Sequence, residues 1–376
     1  MRLSSTQRDL EPTPAVVAGA PPPLASAAAS TGRFRELLHL FEWRDPAWHR
    51  HTCATLERNH LEAVAARVNR LLPDDVRAEL DALSDDSYLS LLRAPEVFHA
   101  AFYGPRDRLA ASMQTWIAVE RAALAAPTSL RGAVPAATLD RVVTAADGVV
   151  TNIEPLTRVA AGPALDTTSD LPGRLVTRFP DRMLVRPIEQ ERRAVVAKLE
   201  AAFALLPRVS PLADGLVRAM TQVICARTAV EDARFYTASD ASTLGVIHLT
   251  NAHLDRKTPA QVASELVHEA IHQALFRWEL QHALLARPEA ATAKVTSPWT
   301  GAKLDLYAYV HACFVWYGVA NLWRQGGAPD DLSVVRQRRA AEVGFQHDPL
   351  ARLGPHADAL SPALQATLTA MAAALA

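Results

Sequence analysis

The sequence predicts a mostly α (α+β) protein, with a helical N-terminal region and a C-terminal domain of long helices and a few short strands. Three observations carry that reading. Apolar residues recur at helical spacing through most of the chain, as at Leu56, Leu61, Val64 and Val68. Asp45-Pro46, Thr258-Pro259 and Ser361-Pro362 each have the form of a helix N-cap followed by proline in the first turn. Short β-branched runs broken by Pro and Gly interrupt the helical pattern in two places.

Taken in order, residues 1–32 read as a disordered leader. The stretch from Pro12 to Gly32 carries no charge and is mostly Ala, Pro, Ser and Gly, too little apolar surface to offset its ordering entropy. Residues 33–188 form the N-terminal region, helical to about Ala126, with 109–124 repeating the pattern. Its end, from about Gly148 to Pro187, carries strand-like runs at 175–177 and 183–185. Residues 189–376 form the C-terminal domain. Helical periodicity covers 189–206 and continues through Arg227, and strand-like runs follow at 235–237 and 244–250. A helix then starts at Thr258-Pro259 and runs to about Ala286, and a second covers 303–324. A third starts at Asp330 or Asp331 and stops at Gly344 as its C-cap, and Ser361-Pro362 opens the last.

Composition excludes several classes. Lys plus Arg number 39 against 40 Asp plus Glu, a net charge of −1, so no basic field exists to gather nucleic acid or an anionic membrane. The three cysteines, Cys53, Cys225 and Cys313, are too few and too scattered for a disulfide framework, which fits a reducing compartment. The N-terminus mixes Arg2 and Arg8 with Asp9 and Glu11 and is broken by three prolines, unlike a secretion signal. The uncharged stretch 306–323 has only the minimum length of a membrane span and contains His311, Gly318 and Asn321, so it reads as a buried helix. A soluble cytoplasmic protein is expected.

The most informative motif is His268-Glu269-Ala270-Ile271-His272, an HExxH inside the helix started by Thr258-Pro259. Residues i and i+4 share one helix face, so both imidazoles can reach one metal ion, and Glu269 can act from beside it. With 13 histidines and 18 glutamates in 376 residues, the pattern arises by chance ~0.02 times per chain. The third ligand is expected at His311, a histidine in an apolar segment where an unpartnered imidazole would be costly. Asp305 is the fallback. His282 lies ~15 Å along the same helix from His272, and Glu279 is also displaced along the axis. Tyr307, one turn before His311, is expected to point at the same metal. His49 and Cys53, also at i and i+4, lack a further ligand.

The C-terminal half, roughly residues 190–376, resembles the HExxH-containing peptide-modification proteins of ribosomal-peptide clusters. The resemblance lies in Gly245-Val246-Ile247-His248-Leu249, Leu266-Val267 before the HExxH, Ser297-Pro298-Trp299, Val310-His311-Ala312 and the helix ending Glu342-Val343-Gly344-Phe345-Gln346. It implies an iron(II)- and 2-oxoglutarate-dependent oxygenase that hydroxylates a β-carbon of a precursor peptide. Family members often carry Arg soon after Ser-Pro-Trp, whereas Thr300 follows here and the nearest cation is Lys303. Candidate partners for the 2-oxoglutarate carboxylate are therefore Lys303 and the helix bearing Arg336, Arg338 and Arg339, since an Arg fork suits a dicarboxylate. The run 244–250 is expected to pair with the peptide by edge addition.

The same histidines suit two other functions. A zinc peptidase would use Glu269 as general base on the metal-bound water. A non-catalytic peptide-binding module would use the HExxH to hold a structural metal without an open coordination position.

Overall fold

The computed structural model describes residues 34–104, 106–124, 137–138, 141–146, 149–155, 157–168, 184–230, 234–325 and 329–376. The leader expected over 1–32 and the strand expected at 175–177 lie outside them. Helices dominate, with a few short strands, as the sequence predicts. No helix among the described residues is long and apolar enough to cross a membrane.

The N-terminal helices are α1 (Phe34–Leu40), α2 (Pro46–Leu71), α3 (Asp74–Asp81), α4 (Asp85–Arg93), α5 (Pro95–Phe102) and α6 (Arg106–Leu124). Asp45 caps α2 as expected, its carboxylate accepting from the backbone N–H groups of Ala47 and Trp48. A separate antiparallel sheet follows, β1 (Ala137–Thr138), β2 (Arg141–Ala146) and β3 (Val149–Pro155).

The main sheet contains β4 (Ala164–Asp166), β5 (Leu184–Val185), β6 (Val223–Ala229), β7 (Tyr236–Ala238) and β8 (Val246–Thr250). Helices α7 (Glu189–Val209) and α8 (Pro211–Met220) connect β5 to β6. Strand order is β4-β6-β8-β7, the first three parallel and β7 antiparallel to β8, with β5 pairing the end of β6. Two expectations are corrected here. Helical structure ends at Met220 rather than continuing through Arg227, and residues 223–229 form the β6 strand. A strand buried on both faces lacks alternation and reads as a continuous apolar run. Nor does β8 offer an edge to a peptide. Its residues pair with β6 from Val223↔Val246 to Arg227↔Thr250 and with β7 from Tyr236↔Thr250 to Ala238↔His248.

The C-terminal part comprises α9 (Pro259–Glu279), the hairpin β9 (Lys294–Thr296) and β10 (Lys303–Asp305), α10 (Leu306–Arg324), α11 (Leu332–Gln346) and α12 (Pro362–Leu375). Thr258 caps α9 in a capping box with Gln261, and Ser361 caps α12. Helix α9 stops at Glu279 rather than near Ala286, because the chain turns away to place Leu284 and Leu285 in the core and to bond Ala286 and Arg287 to the Ala359 carbonyl. Helix α10 starts at Leu306, residues 303–305 being drawn into the hairpin.

Gly344 is likewise not a C-cap. It lies inside α11, where a Cβ would fall 2.0 Å from the Trp299 indole nitrogen. Glycine there lets Trp299 lie against the helix and donate to the Ala341 carbonyl.

The main core does not divide at residue 188/189. Phe34, Leu37, Phe41, Trp43 and Leu56 pack into the same cluster as α7 to α12 and the sheet. A second core, from Val64 to Ile117, closes over Leu244, Phe276 and Leu280.

Candidate metal centre

Helix α9 lies against the face of the sheet that presents Ile224, Ala226, Ile247 and Leu249 to the main core. Buried polar groups fix its rotation. The Gln273 side chain accepts from Gly245 N–H at 2.7 Å and donates to Val246 O at 3.0 Å, tying α9 to the start of β8. Glu269 is 1% exposed, and both its carboxylate oxygens accept hydroxyl bonds at 2.7 Å, one from Thr237 and one from Ser239. The Thr237 hydroxyl also lies 3.0 Å from Glu265. Glu269 therefore fastens the helix to the β7 region, while His268 and His272 meet Trp316 and His311 of α10.

Helix α10 comes close to α9 because position 318 is glycine. A Cβ there would sit 2.5 Å from Ile271 Cδ1. The chain between α1 and α2 braces the same stretch of the helix, Trp43 donating its indole N–H to Gly318 O at 2.8 Å. This is one contribution of the N-terminal region to the site. Another is the ion pair of fully buried Arg277 on α9 with Glu57 on α2, at 2.7 Å.

The two helices bring three histidines side by side. His268 and His272 have ring centroids 5.2 Å apart, and His272 and His311 5.3 Å with nearly parallel planes. His272 Nδ1 and His311 Nδ1 are 3.1 Å apart. His272 and His311 are buried, whereas His268 is only half-buried and forms the accessible side. Phe276 lies beside both buried rings, and Trp316 meets His268 edge-on at 6.5 Å. Trp316 is in turn stacked at 6.0 Å on Trp299, so the Ser-Pro-Trp element supports the site through an aromatic pair.

Behind His311 stands Glu279, 6% exposed, with Oε1 2.7 Å from His311 Nε2. Sequence reasoning discounted it as a metal ligand, and it is indeed directed at His311. The available signal was its position seven residues after His272, two turns on along the same stripe. Thr237 and Ser239 were also missed; their i, i+2 spacing puts both hydroxyls on one side of an extended segment.

Tyr307 is corrected. Its hydroxyl donates to the Glu279 carboxylate, 2.9 and 2.8 Å from the two oxygens, and its ring packs on His311 at 4.7 Å. It supports Glu279 rather than facing the HExxH. Burial and then the adjoining carboxylate push the Tyr307 hydroxyl well above the ordinary tyrosine range, so it stays protonated as a donor.

The cation assignments are corrected as well. Helix α11 turns Val334, Ala341 and Phe345 into the core and Gln337 onto Ser264, which sends Arg336 and Arg339 to the exposed opposite face. Arg338 donates to the Trp323 carbonyl at 3.3 Å, and Lys303 is exposed on the β10 hairpin. The fallback Asp305 pairs with Lys294 at 2.6 Å. At the His49–Cys53 pair, burial pushes the thiol up to about 12 and the imidazole down to about 4, so both are neutral.

Among the described residues no group of three or more His, Cys, Asp or Glu side chains is arranged so that it could hold a metal ion. Imidazole nitrogens are nevertheless the donor type that such an ion takes. Two nitrogens each ~2.1 Å from a metal stand ~3.0 Å apart in right-angled geometry and ~3.4 Å in tetrahedral geometry. The 3.1 Å Nδ1–Nδ1 separation falls in that interval and is equally the length of an imidazole N–H···N hydrogen bond. No family model matches the chain, and no curated protein matches it.

Proposed function

We propose that the chain is an iron(II)- and 2-oxoglutarate-dependent oxygenase that hydroxylates a side-chain β-carbon of a ribosomally made precursor peptide. The observation that carries the metal part is the juxtaposition of His268, His272 and His311, with two nitrogens at the separation of a ligand pair. Three imidazoles on one side of an ion leave positions open for a cosubstrate and O₂. When bound, iron with 2-oxoglutarate supplies the insertion of an oxygen atom from O₂ into a C–H bond.

The chain's own residues do the rest. His272 and His311 offer donors from the buried interior beside Phe276, and His268 offers one from the more exposed side. Glu269 is engaged on both oxygens by hydroxyls from the β7 region, an anchoring arrangement that supports the oxygenase reading over a zinc peptidase. A peptidase needs that carboxylate as the base on metal-bound water. The choice of iron, 2-oxoglutarate and peptide rests on the resemblance of the C-terminal half. Arg336, Arg338, Arg339 and Lys303 are not retained as 2-oxoglutarate ligands.

The test is turnover of 2-oxoglutarate in air with iron(II). Succinate is expected to form with the wild-type chain and not with a folded His311→Ala variant. Zinc-dependent hydrolysis of an unstructured protein such as casein, with no succinate, would replace this reading with the peptidase.

A further inference from the structure

We infer that Glu279, held by Tyr307, is a positioning residue that locks His311 in the tautomer with hydrogen on Nε2, so that Nδ1 is the nitrogen offered to a metal shared with His272. The inference rests on the metal reading above and adds to it which ring nitrogen binds and what directs it.

The contacts on the two sides of the ring fix its orientation. Nε2 lies 2.7 Å from Glu279 Oε1, and Nδ1 lies 3.1 Å from His272 Nδ1. A half-turn about the Cβ–Cγ bond would exchange each nitrogen with a carbon and lose both contacts. The ring is fully buried, with Phe276 at 5.1 Å and Tyr307 at 4.7 Å, so no solvent replaces a lost partner. The Tyr307 hydroxyl donates to Glu279 and holds the carboxylate at the His311 side. The Glu279 oxygens accept from Tyr307, and with Oε1 as acceptor to the imidazole as well, the hydrogen belongs on Nε2 and the lone pair on Nδ1. A carboxylate behind a ligating histidine fixes its tautomer and raises its basicity, and losing that partner typically weakens metal binding about 10–100-fold.

Two readouts test this in the full chain, and neither depends on turnover. In metal-free protein labelled with ¹⁵N-histidine, long-range NMR correlations at mildly alkaline pH report which nitrogen of His311 carries hydrogen. Hydrogen on Nε2 is expected in the wild type and in Glu279→Gln, whose amide oxygen still accepts, and a mixture in Glu279→Ala. Cobalt(II) titration is expected to give a dissociation constant about 10–100-fold weaker for Glu279→Ala and about tenfold weaker for Glu279→Gln. If Glu279→Ala does not fold, Glu279→Gln and Tyr307→Phe carry the test, both predicted to keep the tautomer while binding cobalt more weakly. Hydrogen on Nδ1 of wild-type His311, or unchanged cobalt affinity in every folded Glu279 and Tyr307 variant, would overturn the inference. Undiminished cobalt binding by His268→Ala would instead reject the shared metal site, whatever the tautomer.

Discussion

The hydroxyl clamp on Glu269 permits a quantitative test. Ser239→Ala removes a donor 2.7 Å from one carboxylate oxygen, in a place where Ser239 is 3% and Glu269 1% exposed. A hydrogen bond to a charged group contributes about 1.5–3 kcal/mol, and with no water at hand to substitute, a loss of about 2 kcal/mol is predicted. Thr237→Val, nearly isosteric, removes the donor to the other oxygen and is predicted to cost a similar amount. Its second contact, to half-buried Glu265, adds little because water can take over there. Replacing both partners of a buried bond is less costly than orphaning one. Adding Glu269→Met to the double variant is therefore predicted to recover part of the loss. Urea unfolding of the wild type and the four variants measures this. Losses below about 0.5 kcal/mol for both single variants would refute the anchoring role and return Glu269 to candidacy as a general base.

Three further predictions concern the scaffold. Gly318→Ala places a methyl 2.5 Å from Ile271 Cδ1, and such overpacking is predicted to destabilise by about 1–3 kcal/mol. Ile271→Val deletes the clashing atom, and thermal melts are expected to show partial rescue in the double variant. Gly344→Ala puts a Cβ 2.0 Å from the Trp299 indole and is predicted to break its stack on Trp316, read as altered tryptophan fluorescence and near-UV circular dichroism; spectra identical to wild type would contradict the packing. Glu96 is buried, and desolvation, with Asp166 nearby, raises its carboxyl to about 7. Because the folded state holds this proton more tightly than the unfolded chain, stability is predicted to fall as pH rises from about 4.5 to about 7. The upper limit is about 3 kcal/mol, and Glu96→Gln is expected to flatten that part of the pH–stability curve.

Local signals in the sequence were read correctly where the chain itself decides the outcome. Asp45-Pro46, Thr258-Pro259 and Ser361-Pro362 all start helices, because capping needs only the next few residues. That His311 lies beside the HExxH was legible because a buried imidazole in an apolar helix needs a polar neighbour, and it packs on His272. What was not legible depends on the third dimension. Gly344 has the sequence look of a helix stop, yet its lack of a side chain serves Trp299, forty-five positions earlier in sequence. Strand β6 was hidden because it is covered on both faces. The arginines of α11 matched a dicarboxylate in chemistry, but the helix is rotated by its Val334–Ala341–Phe345 stripe, and no pattern within α11 states which neighbour that stripe meets. Glu279 was judged by its distance from a metal, whereas its partner is the imidazole of another helix.

The most direct test of an iron site on the three histidines is an anaerobic visible spectrum of the metal-free 376-residue chain mixed with iron(II) and 2-oxoglutarate. The metal-to-ligand charge-transfer band of chelated 2-oxoglutarate is expected in the wild type, with its loss in His268→Ala and His311→Ala. A featureless wild-type spectrum, with stoichiometric zinc in the protein as isolated, would contradict it.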